Sequence, residues 1–418
     1  MRVGILSQWY APEPGGGSIP TVLARGLRDL GHEVTVLTAV PNYPLGRLYE
    51  GYAMRPHQME EHDGIAVHRL PLYPSHDSSV VRRVATYSSW AGAAAVAGPW
   101  CLRHVDAVWV FYSAATAGLP AGVLRRLGKP ALLHVQDLWP ESVLRSGFVR
   151  DGFATRVLGQ TIRLWCRGNY RHASALAAIS PGMRRTLIER GARPDRVQVV
   201  YNWVDESVFR PVAYDRALAE ELGFAGKVTV MYAGSFGYVQ GLDVAVRAAA
   251  SLRDSHPDFQ LVLLGSGVAE EPLRRLVADC GADNVRFLDR RPVTQMGQLY
   301  ALADAQLVSL SDDPAFASTI PSKTQAALAC GAPVVMVAAG DAADLVRQAR
   351  AGWVCRPGQV EDLAEAFARL CQLPAVRRRE VGAAGRSFYV GQLSEAAAVR
   401  RLADTLARLA GRPVVAAA

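Results

Sequence analysis

The stretch VTVMYAGSFGYVQGLDVAVRAAASL, residues 228–252, contains the repeating unit from which this chain is built. Val228–Gly234 is an apolar, β-branched run that is typical of a buried strand, and Leu242–Leu252 has a helix-favouring composition. A glycine-containing loop, Ser235–Gly241, joins the two. A buried strand that turns through glycines into a helix is the basic unit of parallel sheets.

The same alternation continues in both directions along the 418 residues. The predicted strands of the first half are VGILS, EVTVLT, IAVHRL, DAVWVFY, ALLHV, ALAAIS and VQVVYN, and those of the second are VTVMYAG, FQLVLLG, VRFLD, AQLVSL, APVVMVA and GWVCRP. The polar, proline-containing segment Asp205–Tyr214 separates the two series. The pattern predicts an α/β protein of two doubly wound, Rossmann-like domains with parallel sheets that face each other across a cleft, each binding ligands at the carboxyl ends of its strands.

Composition places the chain among globular proteins, with 50% hydrophobic and 20% charged residues. The N-terminus runs directly into a predicted strand without a secretory signal, and the apolar run Trp90–Leu102 is shorter than the roughly 20 residues that span a bilayer. These features predict a cytoplasmic protein. Six cysteines occur singly, without metal-ligand spacing, and are expected to be buried and reduced.

The positive charge is unevenly distributed. The formal net charge is +8, and residues 1–210 alone contain that excess of basic over acidic residues. This half either presents a basic face to an anionic partner or has a solvated basic surface; the absence of basic–aromatic repeats argues against nucleic acid. Val80–Leu102, in which Arg82 and Arg83 precede Trp90, is either a segment lying on an anionic membrane or a buried helix of the N-terminal domain.

A lysine at the start of a helix is the strongest chemical signal in the sequence. Ser322–Ala329 is helix-favouring and is followed by Gly331, so Lys323 lies in the first turn, where the helix dipole disfavours a cation. Either a phosphate occupies this site, bound by the ammonium and free N–H groups, or the lysine is exposed and tolerates a small penalty. The loops Gly234–Gly241 and Gly15–Gly17 are further phosphate candidates or simple tight turns.

Other enzyme classes lack their signatures here. Gly265-Ser266-Gly267 follows a strand, but Glu270 occupies the third glycine position of a dinucleotide fingerprint, which argues against a dehydrogenase. G-x-S-x-G, H-E-x-x-H and Walker A motifs are absent. In HVQDLWPES, residues 134–142, His134 lies at the end of a predicted strand and Asp137 follows that strand. Both are catalytic candidates. The alternatives are that Asp137 caps a turn and that His134 is a core histidine.

Together these segments resemble the retaining GT-B glycosyltransferases of family 4, particularly the bacterial branch that builds O-antigen, capsule and exopolysaccharide. The matching segments are collinear over nearly the whole chain: APEPGGG (11–17), RDLGHEVTVLT (28–38), PNYPLGRLYEGY (41–52), QDLWPES (136–142), ISPGM (179–183), YNWVD (201–205), YAGSFGYVQGL (232–242), GSG (265–267) and IPSKTQAALACGAPVV (320–335). The resemblance implies an acceptor-binding domain over residues 1–205, a nucleotide-sugar-binding domain over 206–390, and a closing helix over 391–418 that crosses back to the N-terminal domain.

The resemblance also implies site residues. The donor, a UDP- or GDP-sugar, would contact Gly16, Gly17, Gly234, Ser235, Phe236, Gly237, Gln240, Gly265, Arg290, Arg291, Ser318, Thr319, Ile320, Pro321, Ser322 and Lys323, with the nucleoside near residues 286–291. The acceptor would contact Asn42, Tyr43, Gln136, Trp139 and Glu141. Lys323, Asp137 and His134 are the catalytic candidates, and no metal or other cofactor is expected.

The sequence departs from the family pattern at the donor site. The family's two glutamates, eight positions apart, fall on Ser318 and Ala326, and its loop Arg and Lys fall on Ser235 and Gln240. Lys323 is then the main cation for the phosphates. Three functions remain open: transfer to a lipid-linked saccharide at the inner membrane face, transfer to a small soluble acceptor (a natural-product precursor, an aminocyclitol or a low-molecular-weight thiol), and sugar-nucleotide binding without catalysis.

Overall fold

A computed structural model describes residues 1–14, 18–75, 80–141 and 153–413. The chain divides into two compact units, one formed by residues Met1–Asn202 with Ala398–Ala418 and the other by Trp203–Ala397. Each unit is an α/β domain built on one sheet.

The N-terminal unit has an eight-stranded sheet in the order β3-β4-β2-β1-β5-β6-β7-β8. Its strands are β1 Arg2–Leu6, β2 Glu33–Ala39, β3 Gln58–His62, β4 Ile65–Leu70, β5 Ala107–Tyr112, β6 Ala131–Val135, β7 Ala175–Ala178 and β8 Val197–Val199, and its helices are α1 Ser18–Asp29, α2 Val80–Cys101, α3 Gly118–Arg126, α4 Phe153–His172 and α5 Pro181–Glu189. The central strands β5 and β6 are buried along their whole length, as expected for parallel strands covered on both faces.

The prediction of purely parallel sheets is wrong at one edge of this unit. β3 pairs antiparallel with β4 through a tight turn at Asp63-Gly64, where both residues have positive φ, 54° and 74°. An Asp-Gly pair is a strong hairpin signal, since glycine adopts positive φ freely and aspartate tolerates it. The sequence does not predict this strand, because Gln58–His62 is polar and its side chains are only partly buried, so it lacks the apolar run of the neighbouring strands.

The C-terminal unit has a six-stranded parallel sheet in the order β11-β10-β9-β12-β13-β14. Its strands are β9 Val228–Ser235, β10 Phe259–Ser266, β11 Val285–Leu288, β12 Ala305–Ser309, β13 Val334–Val337 and β14 Gly352–Cys355, and its helices are α6 Arg216–Glu221, α7 Leu242–Ser251, α8 Glu270–Asp279, α9 Met296–Leu302, α10 Ser322–Cys330, α11 Asp341–Ala349, α12 Val360–Gln372 and α13 Ala375–Gln392. The helix predicted from Ser322 is therefore confirmed, and its C-cap is Gly331.

The last helix, α14 Glu395–Leu409, clusters with the N-terminal unit from Ala398 onward. Its Val399 side chain fills the space left by Gly26 of α1, where a Cβ would lie 2.8 Å from a Val399 methyl. Further along, the Thr405 hydroxyl accepts a hydrogen bond of 2.9 Å from the Gln198 amide. Apolar packing and one specific hydrogen bond thus attach the C-terminal segment to a unit formed by residues far away in sequence.

The segment Val80–Leu102 forms helix α2 up to Cys101. Trp90, Ala91 and Ala94 lie in the core of the N-terminal unit, whereas Val96 and Trp100 are exposed on the opposite side. None of the described helices combines the length and the apolar composition needed to cross a bilayer. All six cysteines are free thiols; Cys101, Cys166 and Cys355 are buried and the other three are half-buried.

Candidate functional site

The carboxyl ends of β9 and β10 form the floor of the first candidate site. Gly234 and Gly265 are neighbours in register across these two strands. A Cβ on Gly265 would lie 1.9 Å from the Gly234 carbonyl oxygen, and the Gly265 φ of 143° is one that side chains rarely adopt. Only glycine fits this position, and the result is a stretch of backbone without side chains that a ligand can approach closely.

Helix α10 points its N-terminus into the same site. Its N-cap, Pro321, has no side chain that can accept hydrogen bonds from the first turn. Free N–H groups together with the helix dipole favour an anion at such an end. The site therefore has two backbone contributions suited to phosphate, one from strand glycines and one from a helix N-terminus.

Lys323 adds a cation to these backbone groups. Its Nζ lies 5.0 Å from the centre of the buried Tyr232 ring, and its chain fills the space in which a Gly234 side chain would stand. Burial lowers the pKa of the Lys323 ammonium, and among the described residues no carboxylate lies within ion-pair distance of it. A partly desolvated, unpaired ammonium is costly, so an anion that binds here recovers electrostatic free energy.

These groups line a cavity of about 310 Å³ within the C-terminal unit. Its walls are formed by Val204, Phe209, Ala233, Gly234, Ser235, Leu264, Gly265, Ser266, Arg290, Arg291, Val293, Met296, Tyr300, Ser322, Lys323 and Ala326. Seven of the residues predicted to contact the donor thus lie together here: Gly234, Ser235, Gly265, Arg290, Arg291, Ser322 and Lys323. Two further cations, Arg290 and Arg291, are exposed in the wall.

Other predicted donor residues have different places. Phe236 is 1% exposed and packs against Tyr232 and Phe287 in the core. Gln240 folds back so that its side-chain oxygen accepts a hydrogen bond of 2.9 Å from the Gly237 N–H. Both side chains therefore support the loop rather than line the cavity. Of the remaining predicted residues, Ser318, Thr319, Ile320 and Pro321 form the segment that leads into α10, and Gly16 and Gly17 lie outside the described residues.

The region expected to hold the nucleoside divides into two parts. The Arg286 guanidinium donates to the carbonyl oxygens of Leu222 and Gly223, each at 2.9 Å, and so ties β11 to the end of α6. Arg290 and Arg291, just beyond the same strand, line the cavity instead. Arg286, within β11, is therefore structural, whereas the side chains of Arg290 and Arg291 are exposed at the cavity.

The N-terminal unit contains a second cavity, of about 260 Å³, beyond the ends of β1 and β2. It is lined by Gln8, Trp9, Asn42, Tyr43, Ser75, Arg83, Thr86 and Tyr87, and so includes the predicted acceptor residues Asn42 and Tyr43. The amide nitrogen of Gln8 is buried and has no hydrogen-bond partner within the described ranges. This amide N–H group can therefore donate a hydrogen bond to a hydroxyl of a molecule bound in the cavity.

Glu13 organises this second cavity and was missed from the sequence. Its carboxylate, 3% exposed, accepts hydrogen bonds from the N–H groups of Asn42 and Tyr43, each at 2.7 Å, and from that of Tyr10 at 3.2 Å. Burial raises the pKa of Glu13, and these three N–H donors oppose that rise. Glu13 lies within APEPGGG, and a carboxylate in the loop that follows a predicted strand is the signal that indicates its role.

The remaining predicted acceptor residues follow β6. Gln136 accepts a hydrogen bond of 2.7 Å from Asn202, and the Trp139 indole donates to the Ser113 carbonyl at 2.8 Å. Glu141 is paired with Arg190 at 3.0 Å. Each of these side chains thus has a protein partner, although the amide nitrogen of Gln136 is buried without one in the described part of the chain. Asp137 is exposed.

His134 lies inside the sheet. Its side chain is 0% exposed, its Nε2 is 3.4 Å from the Val200 carbonyl oxygen, and its ring contacts Trp109. Burial lowers the pKa of His134 to about 4, so the ring is neutral at pH 7. A side chain with no access to solvent has the surroundings of a core histidine, which favours the structural alternative over proton transfer.

Three potential metal ligands that are far apart in sequence also meet in the N-terminal unit. His57, His68 and Cys101 have ligand atoms within 4.8 Å of one another, although their spacing gave no sign of this. The two histidines are joined by a hydrogen bond of 2.8 Å, and burial lowers the pKa of His68. A hydrogen-bonded histidine pair that ties the loop before β3 to β4 accounts for the closeness of the two imidazoles.

Both units of the chain are similar to domains of known proteins. The family described as "Glycosyl transferases group 1" matches residues 216–388, and the "Glycosyl transferase 4-like domain" matches residues 15–203. A GDP-mannose-dependent monoacylated alpha-(1-6)-phosphatidylinositol monomannoside mannosyltransferase of Corynebacterium glutamicum is 30% identical over 322 residues, which cover 73% of this chain and 77% of that protein. The putative colanic acid biosynthesis glycosyl transferase WcaI of Escherichia coli is 28% identical over 347 residues, covering 81% and 83%.

Solved structures agree on the fold. Anabaena Alr3699/HepE, crystallised in complex with UDP, superposes with a TM-score of 0.69 at 16% identity, covering 98% of this chain and 100% of that one. WaaG, a glycosyltransferase involved in lipopolysaccharide biosynthesis, superposes with a TM-score of 0.63 at 17% identity, covering 97% and 99%. These structures show that the chain has the GT-B fold; because glycosyltransferase families match both units and a 30% identical relative is matched over 77% of its length, the protein belongs to the family 4 glycosyltransferases.

Proposed function

We propose that this protein is a retaining glycosyltransferase that moves a sugar from a UDP- or GDP-sugar to a lipid-linked saccharide in surface-polysaccharide synthesis. The observation that carries the donor assignment is the cavity of the C-terminal unit, in which Lys323 meets the backbone of Gly234 and Gly265 and the N-terminus of α10. These groups suit a diphosphate, and the apolar and arginine-lined remainder suits a nucleoside. Relatives named for GDP-mannose support the same class of donor.

The chemistry of transfer places the greatest demand on the leaving diphosphate. Negative charge develops on its bridging oxygen as the bond to the anomeric carbon breaks, and preorganised donors stabilise such charge more than the ground state. Lys323 and the first-turn N–H groups of α10 would perform this role. Because none of the cavity residues is a carboxylate nucleophile, we propose that the acceptor hydroxyl attacks from the face that the diphosphate leaves and gives its proton to a phosphate oxygen.

The acceptor is proposed to bind at the cavity bordered by Gln8, Asn42 and Tyr43. The name of WcaI, colanic acid biosynthesis, supports a saccharide acceptor. In this arrangement no metal or other cofactor takes part, and the enzyme works in the cytoplasm against the inner face of the membrane.

A small soluble acceptor is the second candidate. The acceptor cavity is only about 260 Å³ and contains Arg83, which suits a compact anionic molecule. D-Inositol 3-phosphate glycosyltransferases are 29–33% identical to this chain, although the match to the Acidothermus cellulolyticus enzyme spans only 53% of its length. Sugar-nucleotide binding without catalysis is the third candidate function.

The test is a thermal-shift screen against UDP-, GDP- and dTDP-sugars, followed by donor hydrolysis and transfer assays with the donor that binds. A ligand at 100 times its Kd stabilises the fold by about 2.7 kcal/mol, which is readily measured. Proton NMR of the first product gives the anomeric configuration. Inversion would refute the retaining mechanism, and a donor that binds but is neither hydrolysed nor transferred would favour the non-catalytic function.

A further inference from the structure

Two histidines and a cysteine converge near one edge of the N-terminal sheet. His57 immediately precedes β3, His68 lies in β4, and Cys101 is the last residue of α2. Antiparallel pairing of β3 with β4 brings the two histidines together, and α2 packs against β4. Each of the three side chains offers one ligand atom, and these atoms lie within 4.8 Å of one another. Three separate elements thus supply one group of potential metal ligands.

The hydrogen bond between the two imidazoles leaves the position of the cysteine unexplained. His57 Nε2 and His68 Nδ1 are 2.8 Å apart, which is an ordinary hydrogen-bond distance. The Cys101 thiol is free and 8% exposed, and it lies beside this pair. Imidazole nitrogen and thiolate sulfur are donor atoms that Zn²⁺ prefers. Within the described part of the chain, no other three histidine, cysteine or carboxylate side chains come together in this way.

The distances between the ligand atoms suit a tetrahedral ion after a small adjustment. Zn–N bonds of about 2.0–2.1 Å and a Zn–S bond of about 2.3 Å place neighbouring ligand atoms about 3.3–3.6 Å apart. The separations found here, 2.8 Å for the facing nitrogens and up to 4.8 Å within the group, lie on both sides of that range. His57 is half-buried in the loop before β3, so its side chain can supply a shift of about 1 Å.

An aromatic ring borders the three ligands, and one positive charge acts on them. The Trp100 ring packs edge-on against both imidazoles, with its centroid 5.2 Å from that of His57 and 6.0 Å from that of His68. Such an apolar neighbour limits solvent access to an ion. The charge of Arg103 acts on both His68 and Cys101 and disfavours a further cation. Because Arg103 is exposed, solvent and salt screen this repulsion.

We propose that His57, His68 and Cys101 bind a Zn²⁺ ion that fastens the β3–β4 hairpin to the C-terminus of α2. As the Zn–S bond forms, the thiol proton passes to solvent. Two Zn–N bonds replace the hydrogen bond between the imidazoles, and the ring that donated it, still neutral, carries its proton on its other nitrogen. A water molecule completes the tetrahedron.

The role of this ion is structural. Tyr87 is the residue of α2 at the acceptor cavity that is nearest in sequence to Cys101. A rise of about 1.5 Å per residue puts these two positions about 21 Å apart along the helix axis. The ion therefore stabilises the N-terminal unit and takes no part in sugar transfer, so the inference does not depend on the proposed function.

The experiment titrates the full chain, without a histidine tag and stripped of metal by a chelator, with Co²⁺ as a spectroscopic substitute for Zn²⁺. We expect one equivalent of Co²⁺ to produce a thiolate-to-cobalt charge-transfer band in the near ultraviolet and the visible bands of tetrahedral coordination. One equivalent of Zn²⁺ should remove both. Zn²⁺ should also raise the melting temperature, increasingly so as its free concentration exceeds Kd.

Loss of a ligand should abolish these signals. Cys101→Ser should eliminate the charge-transfer band, because it removes the sulfur. His57→Gln should weaken Zn²⁺ binding more than about 100-fold, which is the upper end of the loss caused by removing a group behind a metal ligand. His57 is half-buried, so this variant keeps the test decisive even if the buried Cys101→Ser variant fails to fold. Circular dichroism of the metal-free proteins establishes that each variant is folded.

Matched controls remove the same residue types outside the group. His104→Gln removes an exposed histidine close to Cys101, and Cys280→Ser removes a half-buried thiol of the C-terminal unit. Both should bind one Zn²⁺ with the affinity of the wild type. Arg103→Gln should bind Zn²⁺ more tightly, because it removes the repelling charge.

Three results would overturn the inference: no charge-transfer band at micromolar Co²⁺, ligand variants that bind as the controls do, or loss of the band in either control. The donor-induced thermal shift, measured with and without Zn²⁺, tests the structural role. An equal shift in both conditions agrees with it, whereas a shift that requires Zn²⁺ would refute it.

Discussion

Replacement of Lys323 tests the donor site most directly. In Lys323→Met the side chain keeps most of its length and its contact with Tyr232 but loses the charge. In Lys323→Arg the charge is kept, but the larger guanidinium must fit where the ammonium already fills the space beside Gly234. We expect the methionine variant to lose most of the activity and the arginine variant to recover only part of it.

The expected magnitude follows from the position of the ammonium. Two unit charges 4 Å apart interact by ~4 kcal/mol at the effective dielectric constant of about 20 that suits protein sites. Part of this is already present in the ground state, so we expect a loss of ~2–4 kcal/mol of transition-state stabilisation, or about 30-fold to 900-fold in kcat/KM. Donor affinity should fall less than kcat, because charge on the diphosphate grows as the glycosidic bond breaks.

The assay is release of the nucleoside diphosphate with the donor identified by thermal shift, measured as kcat and KM for wild type and both variants. Stability provides the internal control. Burial lowers the pKa of Lys323 and no carboxylate pairs with it in the described structure, so removal of the charge should leave the melting temperature unchanged or raise it. A kcat/KM within twofold of wild type would refute the catalytic role, and a loss of activity that follows a loss of stability would refute the electrostatic explanation.

Three further changes test the framework around the two cavities. In Gly265→Ala the new Cβ would lie 1.9 Å from the Gly234 carbonyl oxygen, so we expect a loss of ~1–3 kcal/mol in urea unfolding and no donor-induced thermal shift; full stability would contradict this. His134 has its pKa lowered from 6.5 to about 4, so the native state binds fewer protons than the unfolded state, and about 3 kcal/mol of stability present above pH 6.5 is lost as the pH falls to 4. His134→Asn should flatten that dependence of melting temperature on pH. An unchanged slope would show that a group other than His134 causes the pH dependence. Glu13→Gln places an amide against the Tyr10 N–H and should cost ~1–3 kcal/mol of stability and weaken acceptor binding in a saturation assay, while donor binding stays unchanged.

The secondary structure and the repeated strand–helix unit could be predicted because they depend on local periodicity. All strands proposed from apolar runs are present, and helix α10 begins and ends where Ser322 and Gly331 indicated. Lys323 was identified for the same local reason, since a cation in the first turn of a helix is unfavourable without an anion. The polar strand Gln58–His62 could not be found from its hydrophobicity, because an edge strand is covered only in part.

The composition of each cavity depended on contacts between distant residues. Ser235, the last residue of β9, and Phe236 are adjacent, yet Phe236 is in the core and Ser235 lines the cavity of the C-terminal unit. Likewise Glu13 reaches the backbone of residues 42 and 43 only because β1 and β2 are neighbours in the sheet.

The sequence by itself therefore determined the two-part α/β architecture, the glycosyltransferase family and the lysine at the start of α10, because each is encoded in short-range patterns or in collinear motifs. The tertiary structure alone decided which loop residues line a cavity and that His134 is buried. Burial and surface charge arise from packing between elements far apart in the chain, which no local pattern specifies.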